Sequence, residues 1–311
     1  MAGQYKYRKE VYEYIKVRCE TCNNNTQIAK EIREVFRNDE IVQNASNHAL
    51  RHLVNKKRLK NRREIKRLFF DIETSPLFGW FWRTGKQWVN YSQIIEDKKI
   101  ICISYKWQGS DEVKTLQWSN KTHSDKKIIK DFIKILGEAD EIIAHNGDRY
   151  DIKEIRTRAI QEGLLMFPKY RTLDTLKKAR KYFNFHSNKL DYLGEVLKVG
   201  RKIEHEGIDL WLKVCKNDSK ALSNMIQYCE QDVILLEDVF HVLSPYIDHN
   251  TNHAVQMGGK KYDCPECGSK KVSLCHTDTT PMGYIKRHMK CHDCKKQYHI
   301  SNKSYLSFLS K

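Results

Sequence analysis

The sequence lacks the features that would place it in a membrane or in an oxidising compartment. None of its apolar runs approaches the roughly 18 residues a membrane span needs. The N-terminus, Met1-Ala2-Gly3-Gln4-Tyr5-Lys6, has no apolar core of the signal-peptide kind. No membrane association is expected, and an intracellular, cytoplasmic setting is. Cysteine is not scarce, at 10 residues, but four of the ten fall in two Cys-x-x-Cys pairs near the C-terminus, so metal binding is expected in place of disulfides. The two flanks are short of negative charge. Residues 1–67 carry 17 Lys/Arg against 8 Asp/Glu and residues 255–311 carry 11 against 4, whereas residues 68–254 carry 28 against 27. Solubility needs no such segregation of the +17 net charge; gripping a polyanion with basic appendages on a near-neutral core does. With 311 residues, 40% of them hydrophobic, the chain can bury one full-sized core and carry smaller modules beside it.

The N-terminal flank reads as three short helices: one over residues 5–17, one from Gln27 to Phe36 with Ile28, Ile32 and Phe36 on one face, and one starting at Ser46 with Leu50, Leu53 and Val54 as its stripe. They run into the basic stretch Lys56, Lys57, Arg58, Lys60, Arg62 and Arg63. This pattern resembles a helix-turn-helix or winged-helix module that places cations on nucleic acid; a small bundle with a solvated basic linker is the alternative. Cys19 and Cys22 have no second pair nearby and read as ordinary thiols.

The middle segment opens with Leu68, Phe69 and Phe70 followed by Asp71-Ile72-Glu73, and Pro76 closes the stretch. It reads as a buried strand ending at a site, with both carboxylates on one face. Two desolvated anions side by side repel and cost free energy, a conflict that a divalent cation resolves. An exposed acidic turn is the alternative. Strand candidates follow at Lys99–Trp107 and Val113–Trp118, a helix at Asp125–Leu136 and a strand at Glu141–Ala144, which together predict an α/β domain with a mixed sheet and helices on its faces. Residues 77–92 hold Phe78, Trp80, Phe81, Trp82, Trp88 and Tyr91. These aromatics either pack over the sheet edge or, through Trp80 and Trp82 above all, offer unpaired bases a stacking platform.

The strand ending at Ala144 runs into a tight turn at Asn146-Gly147, after which Asp151 falls in the first turn of a helix. A third carboxylate thus arrives at a strand-to-helix junction, with Asn146 placed to meet a ligand there. Tyr228 and Asp232, four residues apart on a further helix, share a face. Asp71, Glu73, Asp151 and Asp232, with Tyr228 one turn before the last acid, resemble the DEDDy group of 3′→5′ exonucleases, whose RNase H-like domain also occurs in the proofreading units of DNA polymerases. Leu173-Asp174-Thr175 and the stretch from His186 to Leu193 are similar to the segment those enzymes carry between their second and third motifs. The resemblance spans roughly residues 66–245. It implies two-metal phosphodiester hydrolysis, with Mg²⁺ or Mn²⁺ held by Asp71, Glu73 and Asp232 at one position and by Asp71 and Asp151 at the other, and with Tyr228 orienting the attacking water. Asp174, Asp191 and Glu230 are nearby acids left outside the expected site.

Near the C-terminus, Cys264-x-x-Cys267 and Cys291-x-x-Cys294 have the spacing of a zinc ribbon, in which four thiolates hold one structural Zn²⁺. Cys275, His276, His288, His292 and His299 are possible substitutes, but the paired spacing favours the four cysteines. The expected organisation is a basic helical module over residues 1–66, an RNase H-like exonuclease domain over 67–250 and a zinc ribbon over 258–311. The expected partner is nucleic acid, DNA ahead of RNA, with a replication or repair protein as a further partner. The combination resembles bacteriophage nucleases. A transposase or recombinase also joins these parts, but lacks the Asp-x-Glu pair with Tyr-x-x-x-Asp.

Overall fold

The computed structural model of the protein describes residues 7–21, 25–60, 65–203, 206–248 and 251–310. The chain begins with α1 (Lys9–Thr21), α2 (Asn25–Val35), α3 (Glu40–Asn44) and α4 (Asn47–Lys60). Val11, Ile15, Ile28, Ile32, Val42, Leu50 and Val54 form their common core, which includes the apolar stripes read from the sequence. Arg18 clamps α1 to α2 through both oxygens of Glu31, at 2.7 and 2.8 Å. Ser46 caps α4 by accepting from the Ala49 N–H. The sequence predicted three helices here. The fourth, α3, is started by Asp39, whose carboxylate accepts from the Ile41 and Val42 N–H groups. Arg62 and Arg63 lie outside the described residues; Lys56, Lys57, Arg58 and Lys60 lie in the last turns of α4.

Next come β1 (Arg67–Thr74), β2 (Phe78–Gly79), β3 (Ile94–Glu96), β4 (Ile100–Trp107), β5 (Val113–Gln117), α5 (Lys126–Glu138), β6 (Glu141–Ala144), α6 (Asp151–Gln161), β7 (Thr172–Asp174) and α7 (Thr175–Tyr182). Then α8 (Leu190–Val196), α9 (Ile208–Cys215) and the 25-residue α10 (Ser219–Leu243) complete the central part. The main sheet has the order β5-β4-β1-β6-β7, with β1 antiparallel to β4 and parallel to β6. It is the mixed sheet flanked by helices that the alternation of elements predicted. Leu68, Phe70 and Ile72 pack into one core, where Phe70 meets Phe132 of α5 at 5.2 Å between ring centroids. Phe69 enters a second core and meets Phe240 of α10 at 5.4 Å. Because side chains alternate along a strand, Arg67, Asp71 and Glu73 share the face of Phe69, so β1 shows α10 a cation, an aromatic ring and two acids in turn.

The last part contains α11 (His253–Gln256), β8 (Val272–Thr279), β9 (Ile285–Cys291), β10 (Gln297–Ser301) and α12 (Asn302–Leu309), with β9 central in an antiparallel three-stranded sheet. This small sheet is docked. Buried Lys296 donates to the carbonyls of Ser244, at 2.7 Å, and Ile247. Arg67, at the start of β1, donates to Glu141 at 2.8 Å and pairs with Glu266 of the first cysteine knuckle at 2.6 Å. Among the described residues no helix is long and apolar enough to cross a membrane.

Candidate functional site

The C-terminal end of β1 carries Asp71 and Glu73 to the surface of α10. One oxygen each from Asp71, Glu73 and Asp232 lies within 4.8 Å of the others, a spacing that fits a shared cation. Asp232 is 2% exposed, and its Oδ1 has no hydrogen-bond partner among the described residues. A buried carboxylate oxygen without a partner is costly and calls for a ligand. Cys229, also on α10, faces the Asp71 carbonyl at 3.6 Å and helps hold the helix against the strand.

Asp151 starts α6 and is 5% exposed. The turn before it is built for close approach. Asn146 takes a left-handed φ of 71°, which Asn tolerates, and a Cβ at Gly147 would stand 2.3 Å from that of Ala144. Asp174 accepts from the Asn146 N–H at 3.0 Å and also caps α7, so this acid shapes the turn. Asp151 lies outside the three-oxygen group yet close enough to Asp71 for mutual repulsion to register.

The electrostatics are those of crowded anions. Burial, then Asp151, Glu73 and Asp232, push the Asp71 carboxyl well above the usual range against the pull of Lys202. Burial and Asp232 push Glu73 up to about 8. Burial pushes Asp151 up to about 7, although its own N–H and that of Ile72 hold it down. Asp232 is raised by burial and partly restored by Lys202. Tyr228 is pushed up to about 12, by burial and then by Asp232, so its hydroxyl stays protonated at neutral pH.

Lys202 is the residue the sequence reading missed. Its ammonium donates to Asp232 Oδ2 at 2.5 Å and to the Tyr228 hydroxyl at 3.2 Å. Asp191 fixes the Lys202 segment by accepting from its backbone N–H at 2.9 Å. The lysine sits between α8 and α9, outside any periodic or motif-bearing stretch, so no local signal points to it. Beside it opens a cavity of about 680 Å³ lined by His145, Asn146, Arg180, Asn188 and Lys202 among others. His145 is tied to the Thr175 hydroxyl and the Asn188 carbonyl, and burial lowers it to about 4, so it stays neutral. Glu230 accepts from Thr115 at 2.7 Å.

Of the other expected contacts, Trp80 and Trp82 lie between β2 and β3 and are 75% and 97% exposed, with Trp88 and Tyr91 equally bare. They do not pack over the sheet edge. The four cysteines expected to bind metal do converge: Cys264, Cys267, Cys291 and Cys294 gather their sulfurs within 4.8 Å, with 3.5 Å between Cys264 and Cys294. They are compatible with a zinc ribbon. Cys275, His276, His288 and His299 take no part in that group, and His292 pairs with Ser273.

The family model RNase_H_2, described as RNase_H superfamily, matches residues 68–244, more than half of the chain. The chain belongs to the RNase H superfamily. Its acidic cluster therefore lies on a nuclease fold, and divalent metal is the fitting ligand for an all-oxygen donor set of this kind. Among solved structures, this RNase H-superfamily chain is similar to the family B DNA polymerase from the hyperthermophilic archaeon Pyrobaculum calidifontis, at 14% identity and a TM-score of 0.47. The match covers 72% of this chain and 32% of that polymerase, so the chain corresponds to about a third of it. A search of curated proteins gives no significant match.

Proposed function

We propose that the protein is a metal-dependent 3′→5′ exonuclease of the DEDDy type. The observation that carries this reading is the convergence of Asp71, Glu73 and Asp232 within 4.8 Å, with Asp151 and Tyr228 of the expected motif beside them. The donors fit the metal: raised carboxyls and the partnerless Asp232 Oδ1 describe a set of anions short of cations. Asp71, Glu73 and Asp232 would hold one Mg²⁺ or Mn²⁺, and Asp71 with Asp151 a second. The ions supply positive charge for the phosphate as it is attacked. The Tyr228 hydroxyl, protonated at neutral pH, positions the attacking water by hydrogen bonding, which can supply much of the rate through orientation alone. Lys202 holds Asp232 and Tyr228 in place and offers an ammonium at the rim of the cluster.

Around this centre, residues 1–66 act as a basic helix-turn-helix-like module, 67–250 as the catalytic domain and 258–311 as a zinc ribbon whose four cysteines hold one Zn²⁺. Trp80 and Trp82 stack on bases, Asn146 meets the terminal nucleotide, and Lys56, Lys57, Arg58, Lys60, Arg62 and Arg63 contact phosphates. The substrate is single-stranded DNA or DNA ends, ahead of RNA, in the cytoplasm of a bacterial or phage-infected cell and beside a replication or repair protein; a bacteriophage-type enzyme fits this combination.

The test uses single strands of DNA and RNA of matched sequence, labelled at the 5′ end and incubated with Mn²⁺ or Mg²⁺. A ladder of products shortening from the 3′ end, faster on DNA and absent with Asp71→Ala, is the expected result. Immediate release of the label as a mononucleotide would overturn the direction, and near-normal turnover by Asp71→Ala would overturn the site.

A further inference from the structure

The small C-terminal sheet carries a row of three histidines away from the four cysteines, their ring nitrogens not drawn together within 4.8 Å as the cysteine sulfurs are. His276 of β8, His288 of β9 and His299 of β10 are directly paired across the three strands. Their rings form a row, with centroids 5.3 Å apart for His276 and His288 and 4.0 Å apart for His288 and His299. His288, the middle member, has a buried Nε2 with no hydrogen-bond partner among the described residues. His276 and His299 are exposed. A β-bulge between Leu274 and His276 brings His276 into register with His288.

We propose that His276, His288 and His299 form a second transition-metal site, a three-imidazole clamp for Zn²⁺ across this sheet. Neighbouring strands lie about 4.8 Å apart, so an ion held above His288 at the usual Zn–N distance of about 2.0 Å is reached by the two outer rings leaning inward. The chemistry of the row favours this. The neutral imidazole is the ligating form. His299 is lowered by burial and then by His288 and Lys286, with Asp248 and Asp278 opposing the shift. A borderline cation that prefers nitrogen donors gives the buried Nε2 its missing partner. A cavity of about 550 Å³ between the sheet and residues 245–248, lined by His288, His299 and Asp248, gives the ion a way in. The clamp ties the three strands together at a distance along β9 from Cys291, so the sheet is pinned at two points, and it goes beyond the nuclease reading, which makes no use of these residues.

The experiment titrates ZnCl₂ into the full-length protein, dialysed free of Mg²⁺ and Mn²⁺, in an Asp71→Asn/Asp232→Asn background that disables the acidic cluster, and counts bound ions by native mass spectrometry. Two zinc ions per chain are expected. In the same background His276→Ala/His299→Ala should hold one, with affinity for the second falling by at least the roughly 10–100-fold that losing a mere supporting partner of a metal ligand costs. His288→Ala should do the same, and retention of the first ion together with an unchanged circular dichroism spectrum shows that the sheet still folds. A single ion in the background protein, or a second ion bound equally well by both histidine variants, would overturn the proposal.

Discussion

The two ends of β1 bury charge in opposite ways. At its start, Arg67 is 3% exposed and faces two carboxylates, Glu141 and Glu266, with the ring of Phe240 5.5 Å beneath its guanidinium. His253 adds a second contact to Glu141 at 3.2 Å, and although burial opposes it, His253 and Arg67 together lower the Glu141 carboxyl. At its end, Asp71 and Glu73 meet Asp232 and Asp151 with Lys202 as the partner of one of them, and all four carboxyls are raised. Three residues of one strand, Leu68 to Phe70, therefore separate a cluster of opposite charges in contact from a cluster of like charges with one lysine among them. The first is a joint; repulsion of the second kind is what the proposed metal site would relieve.

The largest effect should come from the acidic end. Asp232→Asn is expected to lower single-turnover hydrolysis of an end-labelled strand by more than about a hundredfold, in the range of losing a key transition-state contact. Rates within threefold of the parent would dissolve the contrast. At the charge-paired end, Arg67→Met strips Glu141 and Glu266 of their shared cation. It should cost about 3–5 kcal/mol of stability in denaturant titration, the usual penalty for orphaning a buried ion-pair partner. The same variant should loosen the C-terminal sheet, read as faster amide exchange in β8–β10 than in β1. A smaller effect is expected on the exposed arm. Trp82→Ala should weaken single-strand binding by about 1–3 kcal/mol per lost stacking contact, measured by fluorescence anisotropy. Least of all, Trp82→Ala should leave the unfolding free energy within about 0.5 kcal/mol of the parent, as a surface position does.

Much of this contrast could be read from the sequence, and its legibility follows from locality. Asp71 and Glu73 announced themselves because three apolar residues run straight into them. Tyr228 and Asp232 sit one helical turn apart, and Cys264, Cys267, Cys291 and Cys294 share a spacing that few other functions explain. The joint was not legible, because its members are far apart in sequence: Arg67 and Glu141 are separated by 74 residues, and Glu266 lies in another sheet's knuckle. Each alone reads as a surface charge. The sequence accordingly suggested that the C-terminal module is an appendage, whereas Arg67 and Lys296 bind it to the strand and helix that carry the acids. Lys202 was missed for the same reason, since only the fold brings it to Asp232. The aromatic stretch at 77–92 could not be decided from composition, because packing over a sheet edge and lying bare use the same residues; their exposure decides it.

The central claim, that the end of β1 is held in an unfavourable state until a divalent cation arrives, is tested most directly by thermal unfolding of the parent and Asp71→Asn, each in buffer free of Mg²⁺ and Mn²⁺ and again with Mn²⁺. Raised carboxyl pKa values mean that ionised acids oppose folding at neutral pH. Removing one should therefore make the metal-free variant at least as stable as the parent, while Mn²⁺ raises the Tm of the parent and leaves the variant nearly unmoved. A parent that ignores Mn²⁺, or a variant that melts below the parent without metal, would contradict the account.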